Sequence, residues 1–192
     1  MSAILPLIAP KLRSLCESDL PAVEALTRAC RVFRDAEVRV ALEVLGAALG
    51  VGRGRDPDYE TIGAEVGGTL AGWACWGPVP STVGTFDLYW IAVAPEYQGH
   101  GVGSALLARV EESVAGRARL IVVETAGREE YAATRRFYES HRYAVAARIP
   151  DYYELGDDLV TYVKQMSESR KDGKSEMDAF RPSDLPTFRR DS

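Results

Sequence analysis

The sequence predicts an α/β (α+β) protein built on a mixed, mostly antiparallel sheet of about six to seven strands flanked by helices. Three observations carry that expectation. Short runs rich in β-branched and aromatic residues alternate with longer stretches whose apolar positions recur at helical spacing. Two of the runs, Tyr59–Glu65 and Leu70–Trp76, flank Val66-Gly67-Gly68-Thr69, where paired glycines supply the positive φ of a tight hairpin, so these strands pair antiparallel. Two others, Leu88–Val93 and Arg119–Thr125, are separated by a helical stretch, and a strand, helix, strand crossover makes parallel neighbours. With 192 residues, 46% of them hydrophobic, the chain has room for one domain with a sizeable core.

Residues 1–10, MSAILPLIAP, read as a loose N-terminal arm: apolar, broken by proline, lacking a basic leader and too short for a signal or a membrane span. The domain is expected over 11–166. Lys11–Leu15 forms its first strand. Ser18-Asp19 then offers an N-cap ahead of Pro21 and the periodic Val23, Leu26 and Cys30, which predicts a helix. A second helix is predicted over Asp35–Leu49, where Val38, Leu42, Leu45 and Leu49 share a face. Gly50–Asp58 breaks regularity with glycine, arginine and proline and is expected to be a mobile loop. After the hairpin, the Gly77–Gly84 loop leads into Leu88–Val93, an apolar run of the kind buried on both faces and ended by Ala94-Pro95.

The next stretch carries chemistry. Gln98, Gly99, His100, Gly101, Val102, Gly103 and Ser104 open a helix in which Leu106, Leu107, Val110 and Val114 share one side, with Arg109, Glu111 and Glu112 on the other. A glycine turn that opens a helix presents unpartnered N–H groups at the positive end of the helix dipole, which makes an anion site, most often for phosphate. No lysine lies near the turn, so the P-loop pattern fails. The dinucleotide fingerprint fails too, because Ser104 or Leu106 stands where its third glycine belongs. What fits is Gln-x-x-Gly-x-Gly at Gln98, Gly101 and Gly103, which resembles the pyrophosphate-binding motif of the GNAT superfamily of acyl-CoA-dependent N-acyltransferases. The order of predicted elements resembles that superfamily as well.

The resemblance implies acetyl-CoA as cosubstrate. It assigns the diphosphate to residues 98–104 and the pantetheine arm to Ile91, Ala92 and Val93, in a gap where the Leu88 and Arg119 strands splay apart, with the Val93 N–H polarising the thioester carbonyl. A helix is predicted over Glu129–Ser140, with Ala133, Phe137 and either Tyr131 or Thr134 inward. Its Phe137-Tyr138 pair resembles the motif whose tyrosine protonates or hydrogen-bonds the departing thiolate. A phenol donates at neutral pH and tolerates apolar surroundings, although a core aromatic with a satisfied hydroxyl would leave the same trace. Two positions depart from the family pattern: Tyr131 stands where asparagine is frequent, and Arg142 where glycine usually closes the helix. His141 reads as a surface or capping residue.

An amine acceptor must lose a proton before it attacks. Asp87 stands where some histone acetyltransferases of the superfamily carry a carboxylate base, and Glu124 is the alternative; strand-end carboxylates are also commonly just solvated. Tyr143–Arg148 and Leu159–Lys164 are expected as the last strands, joined by a connection over Asp151–Asp158. By resemblance to protein N-terminal acetyltransferases, Tyr152 and Tyr153 in that connection would grip substrate, while a solvated turn accounts for them equally well.

Composition narrows the remainder. A net charge of −5 without a basic stripe argues against nucleic acid, and no segment suits a membrane. Cys16, Cys30 and Cys75 are odd in number and not at metal-ligand spacing, so they are read as buried hydrophobes in a reducing, cytoplasmic compartment, and no metal is expected. No Cys-His arrangement is recognisable, so attack on acetyl-CoA would be direct. Residues 167–192 form a polar tail expected to be mobile, in which Ser183-Asp184-Leu185-Pro186 echoes Ser18-Asp19-Leu20-Pro21. The sequence therefore points to an N-acetyltransferase acting on a small-molecule or peptide amine. A non-catalytic acyl-CoA-binding or sensor module of the same fold is the alternative, and a homodimer stays open.

Overall fold

The hydrophobic periodicities resolve into strands β1 (Lys11–Arg13), β2 (Glu60–Val66), β3 (Thr69–Pro78), β4 (Thr85–Val93), β5 (Leu120–Ala126), β6 (Ala144–Glu154) and β7 (Asp157–Gln165). The helices are α1 (Leu20–Ala29), α2 (Asp35–Leu49), α3 (Val102–Val114) and α4 (Ala132–Ser140). The computed structural model describes residues 9–52 and 54–166. Most of the N-terminal arm, the 167–192 tail and its Ser183–Pro186 echo lie outside the described residues. Among the described residues no helix is long and apolar enough to cross a membrane.

The seven strands form one sheet in the order β1-β2-β3-β4-β5-β7-β6. Every neighbouring pair is antiparallel except β4 with β5. Gly67 at φ 58° and Gly68 at φ 83° make the β2–β3 hairpin. One face of the sheet packs α1 and α2 through Val23, Leu26, Ala41 and Leu45 against Trp73, Cys75, Ala92 and Ala94. Trp73 Nε1 donates to Thr27 Oγ1, which donates to the Val23 carbonyl, so the polar atoms buried in that interface are satisfied. The other face packs α3 and α4 through Leu106, Leu107, Val110, Val114 and Tyr138 against Ala71, Ala74, Leu88, Ile121 and Val160. Helix α3 lies so close to β3 that a Cβ on Gly72 would come within 3.1 Å of Leu106 and 3.2 Å of Val102, besides 2.8 Å from the Ala92 carbonyl oxygen of β4.

Three details differ from the sequence expectation. Asp19 does not cap α1 with its side chain; its carboxylate accepts two bonds from Arg13 at 2.8 Å and one from the Cys16 N–H at 2.9 Å, tying the start of α1 to β1. β6 runs on to Glu154, so Tyr152 and Tyr153 lie in a strand and not in a long connection; only Leu155-Gly156 turns the chain. The turn signals at Asp151 reflect an irregularity within β6, where pairing is interrupted between Ile149 and Glu154 and Asp151 adopts φ 53°. Of the cysteines only Cys75 is buried; Cys16 is exposed and Cys30 half-buried.

Candidate active site

The parallel pairing of β4 with β5 covers only Thr85 with Leu120, Phe86 with Ile121 and Asp87 with Val122. Both strands continue beyond those pairs, to Val93 and Ala126, without bonding each other. The strands therefore splay, and the backbone along the open side of β4 is left for other partners. Ala94 donates to the Ala71 carbonyl of β3, so by strand alternation Val93 turns its N–H and C=O toward the gap. The Val93 carbonyl is met by Gln98 Nε2 at 2.9 Å and Cys30 Sγ at 3.3 Å. A register irregularity at Cys75/Trp76 leaves Tyr89 unopposed by β3, and both Tyr89 and Trp90 pack on the α1–α2 side.

Beyond the end of β4 the chain makes the glycine turn. Gly99 at φ 75° and Gly101 at φ 87° occupy the left-handed region, and a Cβ at either would meet no other protein atom, so the turn is open to a ligand. The first helical donor of α3 is Ala105, bonded to the Gly101 carbonyl at 2.9 Å. The N–H groups of Val102, Gly103 and Ser104 consequently have no partner within the helix. The Gln98 carbonyl accepts from Nδ1 of the His100 ring at 2.8 Å, which braces the turn internally.

A cavity of about 850 Å³ links the turn to the splay. Ile91, Ala92 and Val93 line it from β4, and Gln98, Gly99, Gly101, Gly103 and Ser104 from the turn. Tyr138, Glu124 and Tyr153 reach the same cavity. Of the other sequence-predicted residues, Val102 buries its side chain in the core, and His100, Asp87 and Tyr152 stand outside the cavity lining.

Tyr138 is buried, with ring centroids 5.6 Å from Tyr143 and 5.9 Å from Tyr162. Burial pushes its phenol well above the usual tyrosine range, and Tyr131 adds to the effect, so the hydroxyl keeps its proton at neutral pH. Asp87 occupies the last parallel pair before the splay. Burial, then the charge of Glu124, push its carboxyl up to about 6.

Similarity to known proteins decides the family. The chain matches the family described as Acetyltransferase (GNAT) over residues 22–143. A Desulfovibrio desulfuricans protein assigned as an acetyltransferase of that family is 38% identical, with a TM-score of 0.76, over 83% of this chain and 100% of that one. The chain belongs to the GNAT acetyltransferase family. Two more distant structures share the fold. One is the ribosomal-protein-S18-alanine N-acetyltransferase of Escherichia coli, at 20% identity and TM-score 0.66 over 90% of this chain and 99% of that one. The other is a Salmonella typhimurium protein solved with its cofactor acetyl-CoA, at 21% identity and TM-score 0.64 over 87% of this chain and 100% of that one. No curated protein sequence matches the chain.

As a GNAT protein, the chain also contributes site residues that its sequence did not disclose. Thr125 of β5 is 4% exposed, lines the cavity and has no hydrogen-bond partner for its hydroxyl. Cys30, Phe33 and Glu37 enter the lining from the end of α1, the α1–α2 linker and α2, and Trp90, Glu130 and Tyr131 complete the far end. Phe33 packs edge-on against Trp90 at 5.5 Å and Tyr131 at 6.4 Å. The wall is held by buried Asp157, which accepts from Arg34 at 2.9 Å and lies 3.4 Å from Arg128, while the Arg128 guanidinium covers the Tyr131 ring at 4.9 Å. This network fastens the start of α2 to the β6–β7 turn. None of these residues forms a sequence pattern, because they come from five separate segments.

Proposed function

We propose that the protein is an N-acetyltransferase that moves an acetyl group from acetyl-CoA to a primary amine by direct attack. The observation that carries this reading is the single cavity joining the open glycine turn, a splay edged by the outward-facing Val93 N–H, and the side chain of Tyr138, a residue that is otherwise buried. The acid and aromatic end of the cavity supports a cationic acceptor: Glu37, Glu124 and Glu130 line it together with Phe33, Trp90 and Tyr153.

The residues would work as follows. The N–H groups of Val102, Gly103 and Ser104 hold the diphosphate. The Val93 N–H orients the thioester end of the pantetheine arm. Asp87, which stands outside the cavity lining and so acts through water, or Glu124 within the lining, takes a proton from the acceptor ammonium, freeing the lone pair that forms the new N–C bond. The Val93 N–H stabilises charge developing on the carbonyl oxygen. As the C–S bond breaks, Tyr138 delivers its proton to the departing thiolate, a task matched by a phenol that burial keeps protonated. Tyr153 contributes to the acceptor wall, and Tyr152 beside it is assigned to substrate outside the cavity proper.

Replacing Tyr138 with Phe tests the assignment. Turnover is expected to fall about 100-fold with little change in acetyl-CoA affinity. Wild-type turnover in that variant would return Tyr138 to the role of a core aromatic.

A further inference from the structure

Ser104 is the third residue of α3 and lines the diphosphate end of the cavity. Its hydroxyl lies 2.9 Å from Nε2 of His141, which is half-buried just beyond the end of α4 with its ring 4.4 Å from that of Phe137. The other ring nitrogen, Nδ1, is 2.8 Å from the Phe137 carbonyl. A carbonyl oxygen only accepts, so Nδ1 carries a hydrogen whatever the charge on the ring. That fixes the behaviour of Nε2. In the neutral imidazole Nε2 is an acceptor, the Ser104 hydroxyl donates to it, and the serine turns only lone pairs toward the cavity. In the imidazolium Nε2–H donates to Ser104, and the hydroxyl hydrogen is free to point at an anion.

We propose that His141 is a positioning residue for the coenzyme, taking up a proton from solvent when the diphosphate binds and so converting Ser104 from a hydrogen-bond acceptor into a donor. This rests on reading the glycine turn as the diphosphate site. The imidazolium also adds a positive charge one side chain away from the bound anion. The charged groups on the elements around it are otherwise engaged: Arg109 pairs with Glu112 on α3, Glu111 pairs with Lys164 and accepts from Tyr143, and Glu139 accepts from Tyr162. Arg142 follows it in the chain, and the Ser140 hydroxyl lies 3.2 Å from Nδ1. Among the described residues no carboxylate forms an ion pair with the His141 ring.

The probe is dephospho-CoA, which keeps the diphosphate but lacks the 3′-phosphate that itself titrates near neutral pH; S-acetylpantetheine, without a diphosphate, is the control. Wild-type affinity for dephospho-CoA should fall roughly three- to tenfold between about pH 6 and about pH 8.5. Affinity for S-acetylpantetheine should not follow that slope. Ser104→Ala and His141→Gln should each flatten it. Calorimetry on the wild type in two buffers of different ionisation enthalpy should register proton uptake on binding, a readout that needs no variant. A slope that survives in both folded variants overturns the proposal, as does wild-type binding with neither pH dependence nor proton uptake. The underlying reading fails in a different way: dephospho-CoA binding no tighter than S-acetylpantetheine at either pH would remove the diphosphate site and the relay with it.

Discussion

Burial keeps Asp87 protonated to higher pH than an ordinary aspartate, with its carboxyl pushed up to about 6 and the charge of Glu124 adding to the effect. The native state thus holds this proton more tightly than the unfolded chain does. Its stabilising contribution is complete below the usual aspartate range and is lost as pH rises through about 6. Asp87→Asn should therefore raise the melting temperature relative to wild type at about pH 8 and leave little difference at about pH 4. As general base the same carboxylate must be ionised, so wild-type kcat/KM should rise with pH through about 6, and the Asn variant should lose about 100-fold and that inflection together. An unchanged profile in the variant would pass the base to Glu124 or to water. Gly101→Val is the companion test at the turn. A Cβ there meets no protein atom, yet φ 87° is strained for valine, so coenzyme affinity should drop at least tenfold with the core intact. Undisturbed binding would contradict the anion site. The turn was legible in the sequence because positive φ demands glycine locally, whereas Thr125 and Phe33 become site residues only through tertiary convergence, which leaves no local mark.

At the end of α4, a non-glycine residue does a glycine's work. Arg142 adopts φ 67°, its N–H bonds the Glu139 carbonyl at 3.1 Å, and the Tyr143 N–H bonds the Tyr138 carbonyl at 3.0 Å. This is a Schellman closure, completed by contact between the Tyr138 and Tyr143 rings. Glycine usually closes such a helix, and here the arginine itself takes the left-handed, strained conformation. Arg142→Gly should stabilise the fold by about 1 kcal/mol, read from urea denaturation. Destabilisation would mean that the arginine side chain holds something the backbone does not show. Elements marked by strong local signals were legible: α2 runs over the predicted Asp35–Leu49, and the Gly-Gly hairpin pairs as expected. The sequence predicts β6 only over Tyr143–Arg148, because the run of acids and the Gly-Asp pair over Asp151–Asp158 carry turn chemistry; the chain instead stays extended to Glu154, although its pairing with β7 lapses between Ile149 and Glu154.

Across the whole molecule, function depends on strands that part and a wall fastened from distant segments. The parallel crossover could be read from the sequence, but the parting of β4 from β5 after Asp87 could not, since no residue in either strand forbids further pairing. Asp157 is the clasp of the cavity wall proposed to meet the amine, 3% exposed between Arg34 and Arg128. Asp157→Ala removes the carboxylate shared by Arg34 and Arg128, which keep Glu154 and the Val32 carbonyl as partners, and should cost about 1 kcal/mol. In the folded fraction it should raise KM for the amine while sparing acetyl-CoA affinity; the reverse pattern would detach the clasp from the acceptor site. The central claim, acetyl transfer from coenzyme to an amine, is tested most directly by incubating the protein with acetyl-CoA and a panel of primary amines while following free thiol and N-acetylated product together. The account predicts thiol release matched one for one by an acetylated amine with at least one acceptor, and its loss in Tyr138→Phe. Tight acetyl-CoA binding with no thiol released across amines and peptide N-termini would contradict it and make the protein an acyl-CoA-binding module.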